Sequence, residues 1–161
     1  MLSELAEIYD NGGCLLGVKY SLFEGDPRFV TAVALQFENL FAVFRAIADD
    51  DTVGLMIGPL EIESDERLID ASGSAPWSAC IGLNICNAWQ LTIQQGYVDG
   101  VRLEFNRAGQ SPNPVVELIV MASAMKIFVL SNIASEQALG ADSPGSSLNS
   151  QFSGRAAQAQ P

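Results

Sequence analysis

Two glutamates, Glu61 and Glu63, have the spacing that acid–base chemistry between paired carboxylates requires. The alternation in residues 60–63 predicts a β-strand, and alternate residues of a strand share one face, roughly 7 Å apart. That separation is compatible with inverting glycoside hydrolysis. Two solvated carboxylates on an exposed strand face explain the same pattern, and we favour this simpler interpretation.

Two further groups have the composition of a ligand site. Residues 49–51 are three consecutive aspartates, but they lack the ligand pattern of a calcium loop and predict a turn. The cysteines form an odd and scattered set, which favours buried free thiols in a reducing compartment; they are Cys14, Cys80 and Cys86. The sequence therefore predicts no metal site.

The absence of histidine excludes several common chemistries. No Ser-His-Asp or Cys-His nucleophile can be built, and no zinc site with a histidine ligand. Neither lysine, Lys19 or Lys126, follows the glycine-rich pattern of a phosphate-binding P-loop. The dinucleotide-binding pattern G-x-G-x-x-G does not occur either. We therefore predict no cofactor and favour a protein without catalytic activity.

The charge balance is strongly acidic. Eight Lys or Arg residues against nineteen Asp or Glu residues give a formal net charge of −11 over 161 residues. No basic run interrupts this balance, so nucleic acid is not an expected partner. A basic protein is the expected partner, because opposite charge speeds the encounter of two proteins.

The N-terminal sequence and the longest uncharged stretch both favour a cytoplasmic protein that does not enter a membrane. The N-terminal residues carry Glu4, Glu7 and Asp10 without a positively charged region, unlike a signal peptide. Residues 71–98 carry no charge, but their proline, asparagines and glutamines do not suit a helix that faces lipid.

Hydrophobic periodicity predicts a mainly β protein with a short N-terminal helix. Leu2, Leu5 and Ile8 lie on one helical face, and Ser3 is a candidate cap. The alternation of Leu16, Val18, Tyr20 and Leu22 begins a series of seven to nine antiparallel strands. Such a meander must curl into a barrel or half-barrel, or be covered, to hide two apolar faces.

Three stretches are harder to assign. Residues 29–47 fit a helix or two strands, and we choose strands because Val, Thr, Phe and Ile dominate. Residues 77–90 fit either a strand or a helix that starts after Pro76. Residues 64–76 predict a loop with a helical turn at 66–69. Trp77 and Trp89 could stack on a sugar or base, but both are expected to be core or staple residues.

The composition changes after Ile133, where Ala, Ser, Gly and Gln replace branched apolar residues. The sequence therefore predicts one folded domain over residues 1–134 and a disordered tail over residues 135–161.

Residues 89–105 contain the most distinctive pattern. They read WQLTIQQGYVDGVRLEF. This segment resembles the motif W-x-L-T-x-Q-Q-G-Y-x-D-G-x-x-x-E-F of a family of small bacterial proteins of unknown function, with Ile93 where the family has Asn. The resemblance implies a stand-alone bacterial cytoplasmic domain and no catalytic residue.

The same residues predict a long hairpin. Gly96 and Gly100 permit positive φ at its turn, and Asp99 can accept backbone N–H bonds within the loop. Trp89 and Phe105 are expected to form a cross-strand aromatic pair near its open end. Structural requirements explain most of the pattern.

The polar residues at the hairpin tip, together with one aromatic residue, form the candidate binding surface: Gln94, Gln95, Tyr97, Asp99 and Trp89. We predict an acidic, non-catalytic protein-binding module similar in kind to immunity proteins that neutralise toxins. The alternative is a small-molecule binder or carboxylate-dependent hydrolase in the mouth of a curled sheet. A deep pocket with a raised carboxylate pKa would favour the alternative, and a convex acidic face the first.

The composition of residues 140–161 generates a prediction about stability. Removal of these residues should leave the melting temperature unchanged, because no periodic apolar face is lost. Thermal unfolding of the full chain and of a chain that ends before Gly140 tests this, and a fall of several degrees would contradict it.

Overall fold

In the computed structural model of the protein, the described residues are 1–106, 109 and 112–130. Within them the chain forms one helix, a single 3-10 turn (Trp77–Ala79) and nine strands, and the mainly β class with a short N-terminal helix is confirmed. The predicted tail lies outside the described residues. The elements are α1 (Leu2–Asn11), β1 (Leu15–Phe23), β2 (Val30–Phe37), β3 (Phe41–Ile47), β4 (Thr52–Ile57), β5 (Glu66–Asp70), β6 (Asn84–Thr92), β7 (Val98–Asn106), β8 (Val115–Met121) and β9 (Ala124–Val129).

The strands lie in two antiparallel sheets. One has the order β4-β3-β2-β1-β5 and the other β6-β7-β8-β9. Each sheet covers the inner face of the other, and both contribute to a single core that includes Leu35 and Phe44 from the first sheet and Leu103 and Phe105 from the second. Of the predicted alternatives, the structure therefore shows two sheets that cover each other's apolar face.

A β-bulge in β1 changes which residues are buried. The predicted inward set began with Leu16, but the register shifts between Leu15 and Gly17. Leu15 is consequently buried, whereas Leu16 is 50 % exposed. An extra residue in a strand reverses the alternation on one side of the bulge, so period-two counting fails there.

The ambiguous residues 29–47 form β2 and β3, as predicted. Strand β2 is buried on both faces. Its outer-face residues Ala32 and Ala34 join Val43 of β3 in a second apolar cluster, against which Leu60 packs. The segment that contains Leu60 therefore lies over the outer face of the five-stranded sheet.

Two elements between β4 and β6 differ from the prediction. Residues 60–63 are irregular and not a strand, and residues 66–69 belong to strand β5 and not to a helical turn. Strand β5 pairs with β1, as Lys19 opposite Asp70 shows. A pairing between strands so distant in sequence leaves no local signal, which is why short-range periodicity did not find it.

Residues 77–90 contain both a helical turn and a strand. Pro76 precedes the 3-10 turn, and β6 begins at Asn84. Trp77 is fully buried, as predicted, and its indole N–H donates a hydrogen bond to the Tyr20 hydroxyl. No helix among the described residues is long and apolar enough to cross a membrane.

The start of α1 also differs from the prediction. Met1, and not Ser3, is the N-cap residue, and no side chain caps the helix. The N-terminal ammonium of Met1 instead forms an ion pair with Glu4 at 2.7 Å. The Glu4 carboxylate in the first turn thus takes the place of the predicted hydroxyl cap, because a negative charge is favourable at a helix N-terminus.

The aspartate turn at residues 49–51 is confirmed, and it joins the two sheets. The backbone N–H of Ser123, in the β8–β9 turn, donates to Asp51 Oδ1 at 2.6 Å. The Ser123 hydroxyl donates to the Ala48 carbonyl at 3.2 Å. Asp51 therefore holds the β3–β4 turn of one sheet against the β8–β9 turn of the other.

Close strand packing at Gly100 generates a stability prediction. A Cβ atom there would lie 2.6 Å from the Leu118 carbonyl oxygen, which belongs to the backbone and cannot move freely. Gly100→Ala should therefore destabilise the fold by about 1–3 kcal/mol. Urea unfolding measures this change in free energy.

Gly73→Ala is the matched control, because a Cβ at Gly73 would meet no atom within 4 Å. It should change the free energy of unfolding by no more than about 0.5 kcal/mol. If the two substitutions changed the free energy of unfolding equally, close packing would not be the reason for a glycine at position 100.

Candidate functional site

The predicted hairpin is formed by β6 and β7, with a turn over residues 93–97. The Ile93 N–H donates to the Tyr97 carbonyl at 3.0 Å, and the Gly96 N–H donates to the Ile93 carbonyl at 2.9 Å. Gly96 has φ +89°, as predicted. Gly100 lies inside β7, so close packing and not positive φ requires glycine there.

The register of the hairpin corrects two predictions. Trp89 lies opposite Arg102, and Phe105 lies opposite Ile85, so no Trp89–Phe105 pair forms. The turn is centred near Gln95, two residues earlier than that pairing requires. Asp99 lies in strand β7 at a register irregularity, and not in the loop.

A row of four side chains crosses the outer face of the four-stranded sheet. Trp89 lies opposite Arg102, Arg102 opposite Glu117, and Glu117 opposite Phe128. The Arg102 guanidinium donates to Glu117 Oε2 from Nη2 at 2.6 Å and from Nε at 2.8 Å. The two outer members are aromatic and remain exposed, Trp89 by 42 % and Phe128 by 43 %. The expected core position of Trp89 is therefore wrong, because its side chain lies on the outer face of the sheet, whereas Trp77 is buried.

Apolar side chains extend this row toward the hairpin tip. Leu91 and Ile119 lie on either side of Gly100 and are both only partly buried. Both side chains are within contact distance of a Cβ built at Gly100. Residues 89, 102, 117 and 128, together with Leu91 and Ile119, are named the aromatic face below.

The opposite side of the row is polar and well connected. Glu104 accepts hydrogen bonds from Asn87 Nδ2 at 2.9 Å and from Asn113 Nδ2 at 2.7 Å. The Cys86 thiol lies beside this carboxylate, and burial, with the nearby Glu104 charge, raises the pKa of Cys86. The thiol therefore stays protonated and is a poor nucleophile at neutral pH.

The structure brings most of the predicted site residues to one end of the four-stranded sheet. Gln94, Gln95 and Tyr97 are exposed at the hairpin tip, with Tyr97 52 % exposed, and Trp89 lies on the adjoining aromatic face. Asp99 is only partly exposed.

Sequence reasoning missed Phe128, Arg102 and Glu117. The alternation of β8 and β9 gives the side of the sheet on which each residue lies. The register that aligns these residues with Trp89 is set by long-range pairing, which the local pattern does not reveal.

The predicted carboxylate pair, Glu61 and Glu63, does not share a strand face. Arg45 binds the irregular segment instead: its Nη2 donates to the Glu61 carbonyl at 2.7 Å, and its Nη1 lies 3.4 Å from Glu63 Oε1. A third contact, from Arg45 Nη1 to Glu66 Oε1 at 2.8 Å, is the best buried. Arg45 thus fixes residues 61–66 over the sheet.

The Glu66 carboxylate is ionised in a buried setting. Burial raises its pKa, but interactions with Arg45, Thr31 and the Glu63 N–H outweigh this and lower the pKa to about 2. In the described part of the chain, no group of three or more Cys, Asp or Glu side chains is arranged to hold a metal ion.

The fold and the aromatic face define a small mainly β protein whose two sheets face one another. The family described as "Family of unknown function (DUF6334)" matches residues 7–134, and the chain belongs to this family. Membership of a family of unknown function, as the resemblance implied, is confirmed. No curated protein and no solved structure matches the chain.

The Glu66 ion pair generates a prediction about pH. Its folded pKa of about 2 lies below its ordinary value of 4.5, so its stabilisation is present above pH 4.5 and lost as the pH falls through 2. Glu66→Gln should lower the free energy of unfolding by about 3 kcal/mol at neutral pH and reduce its fall in acid. Urea unfolding across this pH range measures both effects.

Glu63→Gln provides the control, because the Glu63 side chain is 70 % exposed and Glu66 only 4 %. It should keep the acid dependence of the wild type. Parallel pH curves for wild type and Glu66→Gln would contradict the assignment.

Proposed function

We propose that the protein is a non-catalytic binding module that recognises a basic protein through the aromatic face and the adjoining hairpin tip. The observation that carries this proposal is the exposure of Trp89 and Phe128 on either side of the Arg102–Glu117 pair. Tryptophan, tyrosine and arginine dominate the binding energy of protein interfaces. The aromatic face and the adjoining hairpin tip together present all three types, as Trp89, Arg102 and Tyr97.

The geometry suits a protein partner better than a small molecule. A sheet face offers contacts spread over several strands, and the aromatic rings lie at the outer strands β6 and β9. The Arg102–Glu117 pair between them is already neutralised, so a partner can cover it without facing an unpaired charge.

The net charge supports a basic partner. A formal charge of −11 attracts a cationic surface over distances longer than any contact, which raises the association rate. Acidic residues are dense outside the aromatic face, as at Glu7, Asp10 and residues 49–51. We therefore assign attraction to the whole molecule and contact energy to the aromatic face.

The pKa shifts favour this proposal over a carboxylate-dependent hydrolase. Among the described carboxylates with a resolved shift, each pKa is lowered: Glu4, Asp26, Glu66 and Asp70. A general acid needs a raised pKa to hold a proton at neutral pH. A cytoplasmic, immunity-protein-like role fits the acidic charge and the cysteines, which form no disulfide in the described part of the chain.

Capture from extracts of the native host tests the proposal. The wild-type chain should retain a basic protein that Trp89→Ala/Phe128→Ala loses, because truncation of aromatic anchors at an interface weakens binding at least tenfold. Association rates of the purified pair should fall as ionic strength rises through ~0.1–0.5 M, because salt screens the long-range attraction.

Tyr9→Ala is the matched control, since Tyr9 is 55 % exposed on α1, outside the aromatic face. It should retain the same protein with unchanged affinity, and all variants should unfold at similar temperatures. A captured protein that binds the double variant as tightly as the wild type would overturn the proposal, as would the retention of none.

A further inference from the structure

A groove of about 370 Å³ lies on the outer face of the five-stranded sheet, opposite the aromatic face. Its base follows two cross-strand rows. One row joins Ala34 of β2, Lys19 of β1 and Asp70 of β5, and the other joins Gln36 to Gly17. The volume lies at the small end of ligand pockets, which span about 300–1,000 Å³.

Small residues in the sheet create this space, and larger apolar residues enclose it. Gly17 and Ala34 line the base of the groove, and their small size leaves space above the sheet. The walls come from four different parts of the chain and consist of Leu16, Phe41, Pro59, Leu60 and Leu68. Such a lining accepts an apolar group the size of a branched aliphatic side chain.

Two opposite charges lie side by side at the groove. Lys19 and Asp70 are direct cross-strand neighbours, and both line the groove. In the described chain Lys19 forms no direct ion pair with Asp70 or any other carboxylate. Asp70 is held in place by a hydrogen bond from the Ser72 N–H at 2.9 Å. Hydrogen bonds from Ser72, together with the Lys19 charge, lower the pKa of Asp70. Lys19 and Asp70 thus attract each other without direct contact, and a ligand would bind between the two charges.

This arrangement selects a zwitterion. An apolar anion would meet Asp70 as a like charge, and an apolar cation would meet Lys19. An α-amino acid carries its carboxylate and ammonium on one carbon atom, so two neighbouring cross-strand side chains of opposite charge can contact both groups at once. Its side chain can then enter the apolar groove.

We propose that this groove binds a free α-amino acid with an aliphatic side chain, with its carboxylate at Lys19, its ammonium at Asp70 and its side chain among Leu16, Phe41 and Leu60. The site is independent of the aromatic face, because the two lie on opposite sheets. It adds a small-molecule ligand to a protein proposed above to bind another protein.

Titration with L-leucine, followed by amide chemical shifts, tests the site. Shifts should appear at millimolar concentrations and cluster at residues 16–19, 59–60 and 68–72. Two analogues that each lack one charge, 4-methylpentanoate and L-leucinamide, should bind roughly fivefold more weakly. Absence of shifts, or shifts clustered elsewhere, would overturn the proposal.

Charge variants make the test specific. Lys19→Met and Asp70→Asn should each weaken leucine binding roughly fivefold. Asp70→Asn should also abolish the preference for leucine over 4-methylpentanoate, because the neutral amide of Asn does not attract the ammonium group of leucine as the carboxylate does. The control is Lys126→Met, which removes the second of the two lysines of the chain. Lys126 lies on β9, away from the groove, so this variant should bind leucine as the wild type does. Unchanged binding in Lys19→Met would overturn the proposed geometry.

Discussion

The structure depends on the burial of two apolar sheet faces against each other. Neither sheet can hide its inner face alone, so Phe44 and Leu35 of one sheet need Phe105 and Leu103 of the other. The connections serve this arrangement. Asp51 joins the sheets at the β3–β4 and β8–β9 turns. An isolated antiparallel backbone pairing of Cys14 with Asn84 joins the start of β6 to the residue before β1. Because the inner faces are committed to the core, function is confined to the outer faces, the edges and the turns.

The two outer faces have different structures because one of them is partly covered. On the five-stranded sheet, Leu60 packs on Ala32, Ala34 and Val43, and Arg45 fixes the adjoining segment through the buried Glu66. Removal of Arg45 would leave the buried Glu66 charge without its ion-pair partner, so the pair holds the segment in place. No comparable segment among the described residues lies on the aromatic face, where Trp89 and Phe128 stay exposed.

Local patterns in the sequence predicted the helix, most of the strands and the position of the hairpin, because these depend on period and turn chemistry within a few residues. Pairings between distant strands were not predictable in this way. Strand β5 is an example, since β1, its one sheet neighbour within the described residues, precedes it by more than forty residues. The candidate site divides along the same line: Trp89 and Tyr97 were identifiable from the hairpin, whereas the register that places Phe128 in line with Trp89 was not.

The charge of the chain and its contact surfaces act over different distances. The net charge of −11 acts over about a Debye length and selects which molecules approach, but it gives no orientation. Orientation requires short-range features, and the structure offers two on opposite sheets, namely the aromatic face and the groove at Lys19. A partner bound to one sheet leaves the other sheet open. Any coupling between the two surfaces would have to pass through the shared core, in which Phe44 and Leu103 are both fully buried.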